Sequence, residues 1–241
     1  MPPALVDALW RAAASGARGP RSRHTTDDVV AKATAIADES GLAGLSVRTL
    51  ATELGITPMA VYTHVSSRDD LLVLMADDAH ARMRLSPFGR AAWRARVRRV
   101  AEDNRALLSA RPWLLEIDDP RLALGPGTIA KYDHELRAFD GTCLTDLQRD
   151  AALTFVIDFA TAATSRLVRT STTSSFDSVW EESADRLARH LGASFPLAQR
   201  VGRAAGKTMG GPYDAQHAWE FGLARVTAGL AALVEPDTAE S

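Results

Sequence analysis

The stretch that decides the fold reads VRTLATELGITPMAVYTHV and covers residues 47–65. Ser46 is a favourable N-cap, and the residues after it repeat at the spacing of one apolar helix face: Val47, Leu50, Ala51 and Leu54. Gly55 supplies the left-handed residue that ends such a helix. Thr57 can cap a second helix, and Pro58 suits its first position, where a missing N–H costs nothing. The stretch therefore predicts two helices joined by a tight turn.

The predicted second helix, residues 58–65, spans about two turns and is too short to be stable alone. Val61 and Val65 lie four residues apart, so they can hold one side of it against the preceding helices. Its start and outer side carry small, hydroxylic and aromatic groups: Pro58, Met59, Ala60, Tyr62, Thr63 and His64. Such a surface suits the major groove of DNA, where the first residues of a recognition helix meet base edges.

Helices are also predicted on either side of this pair. Thr26 can cap a helix with an acidic first turn, and its apolar side would be formed by Val29, Val30, Ala33, Ile36 and Ala37. Gly41 and Gly44 then interrupt the chain. Ser67 can cap a longer helix over residues 68–82. The whole pattern is typical of a three-helix, helix-turn-helix unit followed by a long connecting helix.

With these flanking helices, residues 26–82 resemble the tetracycline-repressor (TetR/AcrR) family of transcriptional regulators. The positions that follow the family's pattern are 50–51, 54–56, 61–62, 64–65, 68 and 71–72. The resemblance implies phosphate contacts from Tyr62, His64 and Arg68, and a backbone or guanine contact from Arg48. The implied DNA-facing set is completed by the start of the second helix: Thr57, Pro58, Met59, Ala60 and Thr63.

Each of these side chains also has a simpler interpretation. Tyr62 could be a partly buried core aromatic, His64 an ordinary surface histidine, and Arg48 a solvated residue after a cap. Because caps, spacing and apolar register agree, we favour the DNA-binding interpretation.

Residues 1–25 are expected to form a flexible basic arm. In one interpretation, Arg18, Arg21 and Arg23 of this arm enter the adjacent minor groove of the DNA. In the other, the arm is an untethered tail that does not contact DNA.

Composition places any DNA-facing surface in the first half of the 241 residues. Lys+Arg total 28 and Asp+Glu 30, but residues 1–111 carry 16 basic and 12 acidic side chains, and residues 112–241 carry 12 and 18. Cys143 is the only cysteine, which excludes intrachain disulfides and cysteine-based zinc sites. The sequence predicts neither a cofactor nor a metal site.

No segment predicts export or membrane insertion. Asp7 and Arg11 interrupt the N-terminal apolar residues, which argues against a signal peptide. The most apolar later stretch, residues 151–168, contains Asp158 and Arg166 and looks too short and polar to cross a bilayer. We therefore expect a cytoplasmic protein with no membrane partner.

The remaining chain is also predicted to be helical, because no segment alternates with the period of a strand. The expected fold is all-α. Further helices are predicted at 91–109, 125–139, 145–169, 176–191 and 214–234, and residues 192–212, with five glycines and two prolines, are expected to be mobile. The predicted domains are residues 26–70 for DNA binding, residues 71–234 for effector binding and dimerisation, and residues 235–241 as a tail.

Two of these helices carry more apolar surface than a thin bundle needs. The side chains are Leu153, Phe155, Val156, Phe159 and Ala160 on one helix, and Phe221, Leu223, Leu230 and Leu233 on the other. They could pack against a second copy, and dimerisation in the resembled family places two recognition helices on one palindrome. We therefore expect a homodimer on double-stranded DNA with a pseudo-palindromic operator.

The resemblance also implies a pocket for a small-molecule effector in the second half. Candidates for its lining are Trp113, Tyr132, Phe155, Asp158, Phe159 and Trp180, each of which could instead be a core residue. Tetracycline-binding members use a histidine for the Mg²⁺-bound drug, yet no histidine lies between His80 and His134. The expected effector is therefore a bulky, largely apolar small molecule without a metal.

The predicted function is a ligand-responsive, DNA-binding repressor that such an effector releases from its operator. In an alternative, the C-terminal half only dimerises or binds a protein partner. A helical enzyme is a more remote alternative, in which Asp158, His134 and Arg166 would support acid–base chemistry. The sequence contains no nucleophile elbow, phosphate loop, paired-histidine metal motif or dinucleotide fingerprint, so we expect no enzymatic activity.

Overall fold

The computed structural model describes residues 5–10, 24–171, 183, 186–192, 194–209 and 214–235. Within these ranges all regular structure is helical, which confirms the all-α fold. The α-helices in chain order are α1 (Leu5–Leu9), α2 (Thr26–Gly44), α3 (Val47–Leu54), α4 (Pro58–Val61), α5 (Arg68–Ala81), α6 (Trp93–Ala110), α7 (Pro126–Leu136), α8 (Asp146–Ser171), α9 (Pro196–Met209) and α10 (Ala215–Val234). The 3₁₀ turns are Pro112–Glu116, Pro120–Leu124 and Arg137–Phe139.

Local capping chemistry sets the boundaries of the N-terminal helices. The hydroxyls of Ser46, Thr57 and Ser67 each accept a hydrogen bond from the backbone N–H three residues on, and Gly55 ends α3 with a φ of 66°. These four predictions are confirmed. Helix α2 is capped one residue earlier than predicted, by Thr25, because the Asp28 carboxylate closes a reciprocal capping box with it.

Two segments that were expected to be irregular contain helices. Within residues 192–212, residues 196–209 form α9, which Pro196 begins at a position that needs no N–H; the mobility of the segment stays a prediction. The described part of the predicted flexible arm, residues 5–10, contains the short helix α1. Ala8 and Leu9 are buried in the core, and the indole Nε1 of Trp10 donates to the Leu124 carbonyl at 3.0 Å.

The first hydrophobic core joins the helix-turn-helix unit to α5. Leu50 of α3 and Val61 of α4 are completely buried, and α5 contributes apolar side chains along most of its length: Leu71, Val73, Leu74, Met75, Ala76 and Ala79. Trp113 and Leu114, which follow α6, complete this core. Helix α5 runs across the predicted domain boundary at residue 70 without a break. The division of the chain into domains at that residue stays a prediction.

The second core is built between α6, α8 and α10. Its buried residues include Val97 and Val100 of α6, Leu153 and Val156 of α8, and Leu223 of α10. Other apolar side chains of α8 and α10 remain exposed: Leu147, Phe155, Phe221 and Leu233. The stretch Asp146–Arg169 is long and apolar enough to cross a bilayer by length and composition alone, and 28% of its most apolar part is buried. The expectation that this region is too short and polar to cross a bilayer is therefore not confirmed.

A close contact between α5 and α7 fixes the space between the two cores. Asp77, which is buried in α5, accepts hydrogen bonds from the backbone N–H and the hydroxyl of Thr128 at 2.8 and 3.1 Å. A Cβ at Gly127 would overlap the Asp77 carbonyl oxygen, and one at Gly125 would overlap the Asp77 carboxylate. Glycine is therefore required at both positions for α7 to approach α5 so closely.

Candidate functional site

The candidate DNA-facing surface lies on the outer side of α3 and α4. Arg48, Thr57, Pro58, Met59, Tyr62, Thr63 and Arg68 are exposed, and Ala60 and His64 are half-buried. Met59, at 75% exposure, is the most accessible large apolar side chain near the start of α4. All nine residues are at least partly accessible, and their contacts with DNA stay predictions.

Helix α4 is shorter than predicted. Its regular part ends at Val61, and Tyr62 is the C-cap. Residues 62–65 continue as a tight turn, in which the N–H of His64 donates to Val61 at 2.9 Å and that of Val65 donates to Val61 at 3.3 Å. The threonine hydroxyls on this surface are partly engaged: Thr57 accepts from Ala60 N–H at 3.2 Å, and Thr63 donates to the Ala60 carbonyl at 2.7 Å.

The two candidate arginines differ in how they are held. Arg68 donates from Nη2 to the Leu42 carbonyl at 3.3 Å, which ties the start of α5 to the end of α2. Arg48 extends from the first turn of α3, and its guanidinium has no hydrogen-bond or ion-pair partner among the described residues. Arg48 is therefore the freer of the two to reach a base edge, while Arg68 is positioned by the fold.

The pKa of His64 is lowered, which favours a neutral imidazole in the free protein. Burial lowers its pKa, the charge of His24 lowers it further, and Asp28 opposes the shift. A neutral imidazole still has one N–H to donate to a phosphate oxygen. Its contribution to DNA binding would then be a hydrogen bond without a full counter-charge. Arg18, Arg21 and Arg23 lie outside the described residues.

A cavity of about 460 Å³ lies between α5, α6, α7, α8 and the segment that links α6 to α7. Its apolar lining consists of Ala76, Leu107, Leu108, Leu114, Leu115, Ile117, Leu122 and Ile157. Its polar lining consists of His80, Asn104, Asp118, Lys131 and Thr161. An apolar cavity of this size with a few polar groups has the character of a small-molecule site.

One wall of the cavity carries a buried ion pair. Lys131 Nζ lies 2.7 Å from Glu135 Oε2, one turn further along α7, and both residues are buried. The other carboxylate oxygen of Glu135 accepts from Asn104 Nδ2 at 2.6 Å, and the same nitrogen donates to the Val100 carbonyl at 2.8 Å. Glu135 is thus bonded through both oxygens, which offsets the cost of burying its charge.

His80 lies in the same wall and is neutral. Burial, and secondly the positive charge of Lys131, lower the pKa of His80 to about 4. Its Nδ1 lies 2.9 Å from the hydroxyl of Thr128, and this hydroxyl donates its proton to Asp77. Nδ1 therefore carries the hydrogen, and Nε2 is left as an acceptor.

The residues predicted to line a pocket do not line this cavity. Trp113 is buried in the first core and donates from Nε1 to Asp38 at 2.6 Å, and Tyr132 is exposed and donates to Asp150 at 2.7 Å. Phe155 and Asp158 are exposed on α8. The helix face that carries Phe155 and Asp158 is turned away from this cavity, and the predicted role of these residues in effector binding stays a prediction. Trp180 lies outside the described residues.

Phe159, the remaining member of the predicted set, also has a packing role. Its ring lies 5.2 Å from that of Trp219 and covers Gly222, where a Cβ would overlap it. The cavity residues that the sequence did not indicate are the pair Lys131 and Glu135, and His80. An i,i+4 Lys–Glu pair is usually solvated, whereas here both residues are buried and Glu135 also bonds Asn104 of α6.

Residues 111–124, here called the bridging segment, connect the cavity to the DNA-facing helices. The segment contributes Leu114, Leu115 and Leu122 to the cavity. It is tied to α2 by the Trp113–Asp38 hydrogen bond and to the start of α5 by Arg121, whose Nη1 lies 2.7 Å from Asp70. A displacement of the cavity wall would therefore act on both helices.

Comparison with known proteins agrees with this architecture. Residues 87–234 match the family model for the tetracyclin repressor-like C-terminal domain. The chain is 32% identical to the HTH-type transcriptional repressor DrrR1 of Streptomyces coeruleorubidus, over 98% of this chain and 88% of that protein.

Solved structures are similar over most of the chain. ActR from Streptomyces coelicolor, in complex with actinorhodin, superposes with a TM-score of 0.70 and 27% identity, over 89% of this chain and 100% of ActR. BioQ, solved with its natural double-stranded DNA operator, gives a TM-score of 0.54 and 26% identity, over 69% of this chain and 99% of BioQ. The chain belongs to the tetracycline-repressor (TetR) family of transcriptional regulators.

Proposed function

We propose that this protein is a cytoplasmic, ligand-responsive transcriptional repressor. It binds a pseudo-palindromic DNA operator as a homodimer and leaves the operator when a small molecule occupies the cavity. The observation that carries the proposal is that α5 belongs to both sites: Arg68 at its start bonds the Leu42 carbonyl of α2, and His80 near its end lines the cavity. Asp70, between them, bonds Arg121 of the bridging segment. The ActR complex with actinorhodin and the BioQ complex with operator DNA support both halves of the proposal.

The homodimer accounts for the uncovered apolar side chains of α8 and α10. Leu147, Phe155, Phe221 and Leu233 are each at least half exposed, and large apolar side chains gathered on two adjacent helices usually mark an interface. A second copy of the chain would cover them. The exposed Asp158 on α8 suits a protein interface with a wet rim better than a lipid environment.

Coupling would run through the bridging segment. An effector that displaces Leu114, Leu115 and Leu122 would shift Trp113 and Arg121, and with them α2 and α5. The two DNA-facing units of the dimer would then lose the separation that matches one helical repeat of the operator. A differential affinity of roughly 3–5 kcal/mol between the two dimer states is enough to switch the population.

The DNA-binding half can be tested with an operator selected by the wild-type protein from random duplexes. Arg48→Ala should weaken binding by about 1–3 kcal/mol and relax the selected sequence, because a base contact is lost. Arg68→Gln should weaken binding to all DNA sequences alike. It should also reduce the slope of log affinity against log salt concentration by about one, because one phosphate contact is lost. The neutral His64 gives a sharper expectation, since His64→Gln should lower affinity with little change in that slope.

The matched control is Arg82→Ala, which removes an exposed arginine whose guanidinium bonds Asp78 in the last turn of α5. It should leave operator affinity unchanged. If Arg48→Ala and Tyr62→Phe both retain wild-type affinity, the DNA-facing surface is not the one proposed. The arm is tested by replacing Arg18, Arg21 and Arg23 together with alanine, because deleting residues 1–24 would also remove the core helix α1.

The effector half can be tested by filling the cavity. Leu107→Trp should occupy part of the roughly 460 Å³ space and make operator release insensitive to aromatic compounds that stabilise the wild-type protein in a thermal-shift screen. Ile129→Trp, at an exposed position on α7 that does not line the cavity, is the control for a general loss of stability. If the filled variant still releases DNA with the same compounds, the cavity is not the effector site, and a dimerising or partner-binding C-terminal half becomes the better account.

A further inference from the structure

The polar wall of the cavity holds more hydrogen-bonding capacity than the protein uses. Lys131 carries three N–H bonds, and Glu135 is the only partner of its ammonium group among the described residues. Asn104 donates from Nδ2 to Glu135 and to the Val100 carbonyl, which leaves its Oδ1 as an acceptor. His80 leaves Nε2 as an acceptor because Thr128 fixes its tautomer.

The donor and the histidine acceptor lie in the same polar wall of the cavity. Lys131 and His80 both line the cavity, and Nδ1 of His80 lies 2.9 Å from the hydroxyl of Thr128, which precedes Lys131 by about one turn of α7. The facing charged groups are Glu135, which is already bonded through both oxygens, and Asp118, which is exposed. The groups of this wall that remain available for hydrogen bonding are therefore the cationic N–H bonds of Lys131 and the neutral acceptor Nε2 of His80.

We propose that the effector is a flat, largely apolar molecule with an anionic oxygen bound to Lys131 and a neighbouring hydroxyl that donates to Nε2 of His80. This proposal rests on the proposed function, because it takes the cavity as the effector site. A hydroxylated aromatic acid has this chemistry. Its apolar body would lie among the leucines of α6 and the bridging segment, and its anion would replace the missing acceptors of a buried ammonium group.

Three related probes separate the two contacts: hydroxynaphthoate with adjacent hydroxyl and carboxylate groups, its methyl ester, and naphthoate without the hydroxyl. Wild-type protein should bind the hydroxy acid about 10- to 100-fold more tightly than the ester, which lacks the charge, and several-fold more tightly than naphthoate. Binding is measured by calorimetry with the full chain, and operator release is measured in parallel by fluorescence anisotropy.

Variants of the ion pair test the assignment to Lys131. The double variant Lys131→Met/Glu135→Gln removes both charges, so that no lone carboxylate is left buried, and should abolish the preference for the acid over the ester. The matched control Glu135→Gln keeps the ammonium and the oxygen that accepts from Asn104, and should retain or increase that preference. His80→Phe should bring hydroxynaphthoate to the affinity of naphthoate.

The outcomes distinguish this inference from the proposed function. If the ester binds as tightly as the acid, or if no probe binds, the inference is overturned. If the double variant keeps the acid preference, Lys131 is not the anion partner and the inference fails, although operator release by the ester would still support the proposed function. If the acid binds in a Lys131-dependent way but operator affinity does not change, the proposed function fails and the recognition chemistry stands.

Discussion

Acidification should destabilise this protein through His80, whose imidazole is held neutral in the cavity wall. Burial and the charge of Lys131 lower the pKa of His80 from 6.5 to about 4. For a base whose folded-state pKa is depressed, stability is fully present above the unfolded pKa of 6.5 and is lost as pH falls towards 4, because only the unfolded chain binds the proton. The full shift is worth about 3 kcal/mol, of which about 2 kcal/mol is lost between pH 7 and pH 5.

Urea unfolding at fixed protein concentration measures this loss when the wild type is compared with His80→Gln. Glutamine cannot bind a proton, so the stability difference between the two proteins should narrow by about 2 kcal/mol from pH 7 to pH 5. The carboxylates of Asp28 and Asp119 also have lowered pKa values, but they lose stability at more acidic pH and do so in both proteins.

The control is His217→Gln, at an exposed position on α10, which should follow the wild-type curve. A stability difference between wild type and His80→Gln that stays constant from pH 7 to pH 5 would refute the reasoning. It would mean that His80 accepts its proton equally well in the folded and unfolded chain, and that Nε2 is not a buried acceptor.

Three further substitutions test the packing that positions the two sites. Gly127→Ala should destabilise the fold by about 1–3 kcal/mol in thermal unfolding, because the methyl group of the new alanine meets backbone atoms of Asp77 that cannot move away. A variant as stable as the wild type would show that α7 approaches α5 less closely. Leu50→Ala should cost about 3 kcal/mol in urea unfolding, and a loss below about 1 kcal/mol would contradict its complete burial. Trp113→Phe removes the hydrogen bond to Asp38 and leaves a small void in the first core, so it should cost about 2–4 kcal/mol in stability and weaken the response of operator binding to effector. An unchanged response would exclude Trp113 from the coupling.

The helix-turn-helix unit was predictable because its determinants are local. Ser46, Gly55, Thr57 and Ser67 act within four residues of their own positions, so their capping roles can be read from the chain. The same reasoning placed the start of α2 one residue late at Thr26. Two adjacent threonines can each cap a helix, and the carboxylate of Asp28 decides between them in favour of Thr25.

The cavity was not predictable because its walls depend on contacts between distant segments. The sequence shows that α8 has an apolar face, but it does not say which side of α8 meets the cavity, and Phe155 and Asp158 lie on the other side. Lys131 and Glu135 have the spacing of any solvated pair, and their burial depends on how α7 packs against α5 and α6. Helix α1 was missed for a similar reason: five residues have too little periodicity to predict a helix, and the core stabilises it.

The bridging segment restricts how this regulator could be recombined with others. A chimeric repressor made by exchanging the DNA-binding part at the end of α5 would leave Asp38 and Asp70 opposite foreign side chains and would leave Trp113 without its core. A crossover point that respects the structure has to transfer residues 111–124 together with the DNA-binding part. The new segment would then meet the recipient's effector cavity, so operator choice and effector choice in this protein cannot be exchanged as independent modules.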